Sequence, residues 1–253
     1  MKFFRDTYLV FERRILLQIK QPIWLFVMLI QPLYYLVLFG PLLNGMQDMP
    51  GFERGVMETF LPGLLIMMAL FGSISVGFAL IAELREGVIE RMRVTPVSRF
   101  ALLLGRCGSI VVGMIFQVAL LILLSVPLAG TTIYWEGLFM LMGLVVLITI
   151  MLSAISYGLA LMTKSEDALA PLLNTVTQPV ILLSGIMLPM ALAPGWLQTL
   201  AAFNPFAYAV NAARALFVGS YDDPVVWQAG VILGAFTLLM VVWSGRRFAR
   251  AVA

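Results

Sequence analysis

The sequence predicts an all-α integral membrane protein with six transmembrane helices, built as a single transmembrane domain over residues 1–253. The chain is 62% apolar and only 11% charged, whereas a soluble domain carries about 25% charged residues. The apolar residues also occur in long runs, each close to the roughly 20 residues that a helix needs to cross about 30 Å of hydrocarbon. These runs do not alternate between apolar and polar residues, so a membrane β-barrel is not expected.

Six runs with few or no charges supply the predicted membrane spans. They comprise residues 23–40, 60–82, 107–130, 137–163, 168–188 and 225–245. The fifth run is the least regular, because Pro171 and Pro179 lie within it and the apolar composition continues beyond it. The first run is interpreted as a retained span, since no small-residue cleavage site follows it and five further spans do.

The basic residues predict the orientation of the chain. Six spans place both termini, residues 83–106 and residues 164–167 on one side of the membrane. That side carries fourteen of the 16 Lys and Arg residues, and the other side carries only Arg54 and Arg214. Both termini are therefore expected to be cytoplasmic, in an inner or plasma membrane. The net charge of +3 suits anionic membrane lipid and gives no reason to expect a nucleic-acid partner.

The residue types that the chain lacks limit its chemistry. It contains no histidine and one cysteine, Cys107, so a Ser–His hydrolase, an internal disulfide and the usual zinc sites are excluded. No ionisable residue lies in the middle of a predicted span, which disfavours an ion-coupled transporter. No Gly-x4-Gly-Lys-Ser/Thr loop is present, so the chain does not hydrolyse ATP by that route. An enzyme is the least favoured class.

Residues 2–20 predict an amphipathic helix before the first span. Its apolar residues recur at spacings of three and four and therefore share one face. They are Phe4, Tyr8, Phe11, Ile15 and Ile19. Such a helix is expected to lie in the cytoplasmic headgroup plane and to enter the membrane at Pro22. A simple lipid anchor and a docking surface for a partner both stay open as its role.

Residues 83–106 are the most informative polar stretch, because they bring acids and bases together in a chain with little charge. The candidates for contact with a partner are Glu83, Arg85, Glu86, Gly87, Glu90, Arg91, Arg93, Thr95 and Pro96. A solvated cytoplasmic loop, with arginines that follow the positive-inside rule, would by itself explain the charges. A docking element also explains a short helix with a mixed-charge face and an abrupt end at a proline.

Polar side chains inside two spans mark a candidate translocation pathway. These are Ser153, Ser156 and Tyr157 in the fourth span and Asn174, Thr177, Gln178 and Ser184 in the fifth. Within each span they fall largely on one helix face. Any single one can serve packing, because amides and hydroxyls bond across helices in a membrane. As a set they suit a weakly polar seam for an amphiphilic cargo.

The outer stretch 189–224 is too apolar for an exposed loop and too rich in proline for one straight helix. Irregular backbone at membrane depth is tolerated where it is buried in protein or lines a cavity. Interfacial packing and an outer gate are therefore both open. The candidate gate residues are Pro189, Trp196, Asn204, Pro205 and Arg214.

Two motifs, in this order, resemble the type-2 ABC exporter permeases, especially the daunorubicin-exporter-like and Nod-factor-exporter-like branch. The first motif is Glu83-Leu-Arg-Glu-Gly-Val-Ile-Glu-Arg-Met-Arg-Val-Thr-Pro-Val-Ser-Arg. The second runs through Leu183-Ser-Gly-Ile-Met-Leu-Pro, then Pro194-Gly-Trp-Leu, Asn204-Pro-Phe and Arg214. Together with the six predicted spans, the resemblance covers essentially the whole chain.

The resemblance implies a role for each segment. Residues 83–98 would form the coupling helix, which docks into a separate ATPase subunit that binds ATP and Mg, and residues 1–22 would form an interface helix beside it. The outer segment 189–224 would form re-entrant helices that close the pathway between two permease protomers, identical or sister chains. Two permeases and two ATPases would export an amphiphilic or hydrophobic cargo (drug, lipid or glycolipid), and this chain would hold no cofactor or metal. The alternatives are a stand-alone facilitator or channel and a scaffold that moves no cargo.

Overall fold

The computed structural model describes residues 2–20, 22–39, 45, 52, 55–74, 76–86, 99–129 and 134–251. Its α-helices are α1 Lys2–Lys20, α2 Pro22–Tyr34, α3 Val56–Ile74, α4 Val76–Arg85, α5 Arg99–Ala129, α6 Trp135–Thr163, α7 Glu166–Ser184, α8 Gly195–Ala201, α9 Pro205–Phe217 and α10 Pro224–Ala251. A π-helical turn at Tyr35–Phe39 continues α2, and a 3-10 turn at Met190–Leu192 lies between α7 and α8. The described chain is helical throughout its regular elements, so the all-α prediction is confirmed.

Four stretches of the described chain are long and apolar enough to cross a membrane. They are Val56–Arg85, Leu104–Pro127, Trp135–Thr163 and Pro224–Arg247. They coincide with the predicted second, third, fourth and sixth spans, and the first of them runs through α3 and α4. At the predicted first and fifth spans the chain forms shorter helices, α2 with its π-helical turn and α7. The chain is a multi-pass membrane protein.

Helix α3 lies at the centre of the bundle. Every residue from Thr59 to Leu70 is buried, and a helix that is apolar on all sides needs protein around its whole circumference. Helices α6 and α9 pack against α3 and against each other, and α10 packs mainly on α6 and α9. Helix α10 is peripheral. Only 17% of its apolar stretch is buried, whereas 71% of the stretch that contains α3 is buried.

A crevice between α5, α6 and α10 contains the single cysteine. Its volume is about 230 Å³ and its lining is almost wholly apolar, with Gly108, Ala154 and Val241 among the residues that form it. The side chain of Cys107 lies in its wall and is 6% exposed. The thiol is therefore shielded from water by three helices.

Glycines on α6 permit two of its closest contacts. A Cβ at Gly137 would overlap the carbonyl oxygen of Leu216 in α9, and a Cβ at Gly158 would overlap the ring of Trp243 in α10. At Gly143, on the same helix, a Cβ would have no atom within 4 Å. The first two glycines therefore set how closely α9 and α10 approach α6.

Gly137→Ala is expected to destabilise the protein, because the added methyl group would collide with the backbone of α9. Overpacking of this kind costs about 1–3 kcal/mol. Gly143→Ala is the matched control and is expected to leave stability unchanged or slightly higher, since alanine favours a helix over glycine. Thermal unfolding of the two detergent-purified variants measures the difference. Equal midpoints would show that α6 and α9 are not in close contact.

Candidate functional site

An ion-pair cluster joins α1, α4 and α5 at one end of the bundle, which we call the basic end. The carboxylate of Glu83, in the last turn of α4, contacts the guanidinium of Arg14 in α1. Its Oε2 atom lies 2.6 Å from Nη2 of Arg106 in α5, and Arg106 is only 3% exposed. Burial, and next the neighbouring Arg106 cation, lower the pKa of the Arg14 guanidinium. One carboxylate therefore holds two cations together, and we call these three residues the Glu83 cluster.

Glycines of α5 bring α1 close enough for this cluster to form. A Cβ at Gly105 would lie 2.8 Å from the carbonyl oxygen of Thr7, and a Cβ at Gly108 would lie 3.2 Å from the ring of Phe11. Arg14 follows Thr7 by seven residues and therefore lies on the same face of α1. The close crossing of α1 over α5 thus aims the Arg14 guanidinium at α4.

The outward side of α1 presents much of the predicted apolar face. Phe4, Tyr8 and Ile19 are exposed, while Phe11 and Ile15 are half-buried. Helix α1 coincides in its bounds with the helix predicted from the sequence. An exposed apolar strip on a helix beside membrane spans is suited to contact with lipid.

Three of the predicted docking residues lie within the described chain. The Glu83 carboxylate faces inward and is engaged by the chain's own arginines, so it is not presented to a partner. The Nη1 atom of Arg85, on an exposed side chain, lies 3.2 Å from Oε1 of Glu166 at the start of α7. Glu86 is exposed just beyond α4. The others, Gly87, Glu90, Arg91, Arg93, Thr95 and Pro96, lie outside the described residues.

Ser156 of α6 bonds backbone groups of both α3 and α4. Its hydroxyl donates to the carbonyl oxygen of Ile74, the last residue of α3, and accepts a hydrogen bond of 2.9 Å from the backbone N–H of Gly77. Backbone groups in hydrocarbon have no water to bond, so a side chain that serves both groups stabilises the contact between α6 and these helices. The hydroxyl of Ser156 is therefore committed to packing.

The other predicted pathway residues do not share one surface. Ser153, Tyr157, Thr177 and Ser184 are buried within the bundle, whereas Asn174 and Gln178 are exposed on α7. The Ser184 hydroxyl donates to the carbonyl oxygen of Ile181 in its own helix. Of the predicted seam, the described chain thus leaves only the two α7 amides open to a cargo.

Arg214 links three elements at the opposite end of the bundle. Its Nε donates to the carbonyl oxygen of Thr59 at 2.8 Å, and its Nη2 donates to that of Gly185 at 2.7 Å. Thr59 lies in the first turn of α3, and Gly185 ends α7 in the left-handed conformation, with φ of 73°. We call this set of contacts from α9 to α3 and α7 the Arg214 latch.

The Arg214 latch does not respond to pH in the neutral range. Burial lowers the pKa of Arg214 to about 10. The pKa of Arg214 in the folded protein and its higher pKa in the unfolded chain both lie above about 9. The guanidinium therefore keeps its proton in both states from about pH 6 to about pH 9. The latch therefore adds no pH dependence to stability in that window.

Asn204 makes a second link between α7 and α9. Its side-chain oxygen accepts a hydrogen bond of 3.0 Å from the N–H of Phe206 and so caps α9. Pro205 takes the first helical position, where its missing N–H has no partner to lose. The Nδ2 atom of Asn204 donates to the carbonyl oxygen of Val180 at 2.8 Å.

The outer stretch is divided into short helices, as its prolines predict. The 3-10 turn, α8 and α9 are separated at Pro194 and Asn204. Of the five predicted gate residues, Asn204, Pro205 and Arg214 lie at the junction of α7 with α9. Pro189 is buried, and Trp196 in α8 is 66% exposed.

Several polar residues were missed by the sequence analysis. From the sequence, Arg14 and Arg106 indicate only the orientation of the chain, and the amides of Gln31 and Gln117 lie inconspicuously within apolar runs. The signal for the amides was present, since each is an isolated polar residue in a predicted span. Within the described ranges, no group of three His, Cys, Asp or Glu side chains is placed to hold a metal ion.

Residues 5–218 match the profile of the ABC-2 type transporter family, and the chain belongs to this family. The predicted family is confirmed. Members of it that resemble this chain are named as transport permeases.

Three relatives show how far the similarity extends. A protein of Cyanophora paradoxa named as the transport permease ycf38 is 28% identical over 218 residues, or 85% of this chain and 75% of that protein. The daunorubicin resistance ABC transporter permease protein DrrB1 of Streptomyces coeruleorubidus is 22% identical over 227 residues, which are 88% of this chain and 77% of that protein. The inner membrane transport permease YadH of Escherichia coli strain K12 is 25% identical over 219 residues, which are 83% of this chain and 82% of that protein.

Glu83→Gln is expected to destabilise the protein by about 3–5 kcal/mol, because it leaves the buried Arg106 without its counter-charge. Arg85→Gln is the matched control on the same helix. It breaks an exposed ion pair, and pairs of that kind contribute about 0–1 kcal/mol. Thermal unfolding in detergent compares the two, and a Glu83→Gln variant as stable as Arg85→Gln would contradict the buried pairing.

Arg214→Met is expected to destabilise the protein at both pH 6 and pH 9, because it leaves buried carbonyl groups without a donor, at about 1–3 kcal/mol for each. Arg246→Met, at an exposed position of α10, serves as the control. The loss is expected to be the same at the two pH values, since Arg214 is protonated at both. A loss of stability seen only at pH 9 would contradict the pKa given for Arg214.

Proposed function

We propose that the chain is the membrane-spanning subunit of an ATP-driven exporter that moves an amphiphilic or hydrophobic cargo, such as a drug, lipid or glycolipid, out of the cytoplasm or inner leaflet. The observation that carries the proposal is the Glu83 cluster, which ties the helix leading into the predicted coupling segment to α1 and α5. Family membership supports a separate ATPase subunit as the source of energy. That subunit would bind ATP and Mg, since this chain has no phosphate-binding loop.

The Glu83 cluster supports a mechanical route for the coupling. A push on the chain just beyond Arg85 reaches Glu83 within one helical turn and passes through its carboxylate to Arg14 and Arg106. Helices α1, α4 and α5 would then move as a unit.

Two contacts support a complete topology of six spans. At the start of helix α7, Glu166 forms an ion pair with Arg85 at the basic end of the bundle. At the other end of α7, Gly185 accepts a hydrogen bond from Arg214. The 19 residues of α7 rise about 28 Å, close to the thickness of the hydrocarbon core. We assign α7 as the fifth span and α2 with its π-helical turn as the first. The positive-inside rule then puts the basic end and both termini in the cytoplasm.

The pathway is assigned to the contact between two permease protomers, identical or sister chains. Asn174 and Gln178 on the exposed side of α7 would give it weakly polar groups. The outer segment that the Arg214 latch fastens would close its far end as a re-entrant gate. A relative named for daunorubicin resistance supports an amphiphilic cargo, and the exposed apolar strip of α1 supports contact with membrane lipid.

Affinity purification from native membranes in mild detergent tests this function. We expect a stoichiometric partner that carries Gly-x4-Gly-Lys-Ser/Thr. Glu86→Arg should lower its recovery about tenfold, a loss of about 1.4 kcal/mol in binding, because Glu86 is exposed where α4 leads into the coupling segment. Glu136→Arg, an equally exposed charge reversal at the opposite end of the bundle, should not change the recovery.

Two outcomes would overturn the exporter proposal. A chain that purifies without an ATPase and transports cargo in liposomes on its own would be a facilitator. A chain that retains the partner but moves no cargo would be a scaffold. Membrane insertion of each variant is checked first, so that a loss of partner is not a loss of protein.

A further inference from the structure

A pocket of about 80 Å³ opens between α2, α3 and α5. Residues that line it are Gln31, Met67, Met68, Phe71, Gly72 and Gln117. Met67, Met68 and Gln117 form a buried floor, each 5% exposed or less. Gln31 is exposed and Phe71 is 37% exposed, so these two side chains form the mouth.

The pocket lies near the middle of the membrane. Phe71 is midway along the apolar stretch Val56–Arg85, about 21 Å of helix from either end. Gln117 is about 20 Å into the stretch that begins at Leu104. Neither amide is close enough to a headgroup region to be hydrated by it.

An exposed carboxamide at this depth, that of Gln31, points to a ligand. An amide that faces lipid tails is unfavourable, and polar side chains within spans face the protein interior or a pathway. Gln31 is exposed on its own protomer, so its side of α2 is better placed towards a pathway than towards lipid. Met67, Met68 and Phe71 add soft and adaptable apolar surface, which suits ligands of varied shape.

We propose that this pocket is a cargo-binding subsite that takes the small, uncharged hydrogen-bonding group of an amphiphile, such as a glycerol hydroxyl or a carboxamide. The amide of Gln31 both donates and accepts, so it can bond either group, and Gln117 adds a polar side chain to the floor. The apolar part of the cargo lies against Phe71 and the two methionines. The residues that line the pocket carry no charge, so it offers no counter-ion to a charged headgroup. This assignment rests on the proposed export function and names the cargo chemistry of its pathway.

Photo-crosslinking of the transporter purified from native membranes tests the subsite. The probe is a monoacylglycerol that carries a diazirine beside its glycerol. We expect labelled peptides from α2, α3 and α5 at the pocket, with the label displaced by unmodified monoacylglycerol and not by hexadecane. Gln31→Leu should lower the labelling about tenfold, equivalent to about 1.4 kcal/mol. Gln228→Leu, an exposed amide in α10, is the matched control and should not change it.

A second variant tests the volume of the pocket separately from its amides. Met68→Trp fills the floor and should abolish labelling while both amides remain. Co-purification of the ATPase reports that each variant is folded. Labelling that is spread over the outward residues of α10 and is equal in all variants would overturn the subsite.

The same experiment separates the two proposals. An ATPase that co-purifies while the pocket stays unlabelled overturns the subsite alone. A pocket that is labelled in a chain that never retains an ATPase supports the ligand chemistry and overturns the export function.

Discussion

The largely buried polar side chains that link the helices of this bundle bond to one another or to backbone groups, because the interior offers them no water. The hydroxyl of Ser156 bonds the backbone of Ile74 in α3 and of Gly77 in α4. The guanidinium of Arg214 serves two carbonyl oxygens, one of them 155 residues away. The carboxylate of Glu83 neutralises Arg106. The arrangement of the helices depends on these pairings, since each one joins different helices of the bundle.

The pairings divide the bundle into two braced ends and a weakly polar middle. At the basic end three helices share one carboxylate, and at the opposite end three elements share one arginine. Between them, every residue of the central helix α3 from Thr59 to Leu70 is buried.

The sequence predicts those features that depend on local composition. Run lengths identified the four long spans, and the prolines of the outer stretch predicted its division into short helices. The direction of individual side chains was not predictable. Periodicity places Ser156 and Tyr157 on a face of α6, but which helix covers that face depends on the packing of the whole bundle. The partners of Glu83 were not predictable for the same reason, since Arg14 comes from a distant helix and the contact with Arg106 depends on how α4 packs against α5.

The single cysteine has a practical consequence for spectroscopy. Cys107 is the one thiol in the sequence, and its place in an apolar wall between three helices keeps water-soluble maleimides away from it. A cysteine introduced at an exposed position such as Glu86 would then be the one that reacts, without first removing the native residue. Spin labels or fluorophores attached there would report on the surroundings of the basic end of the bundle, with the native Cys107 left in place.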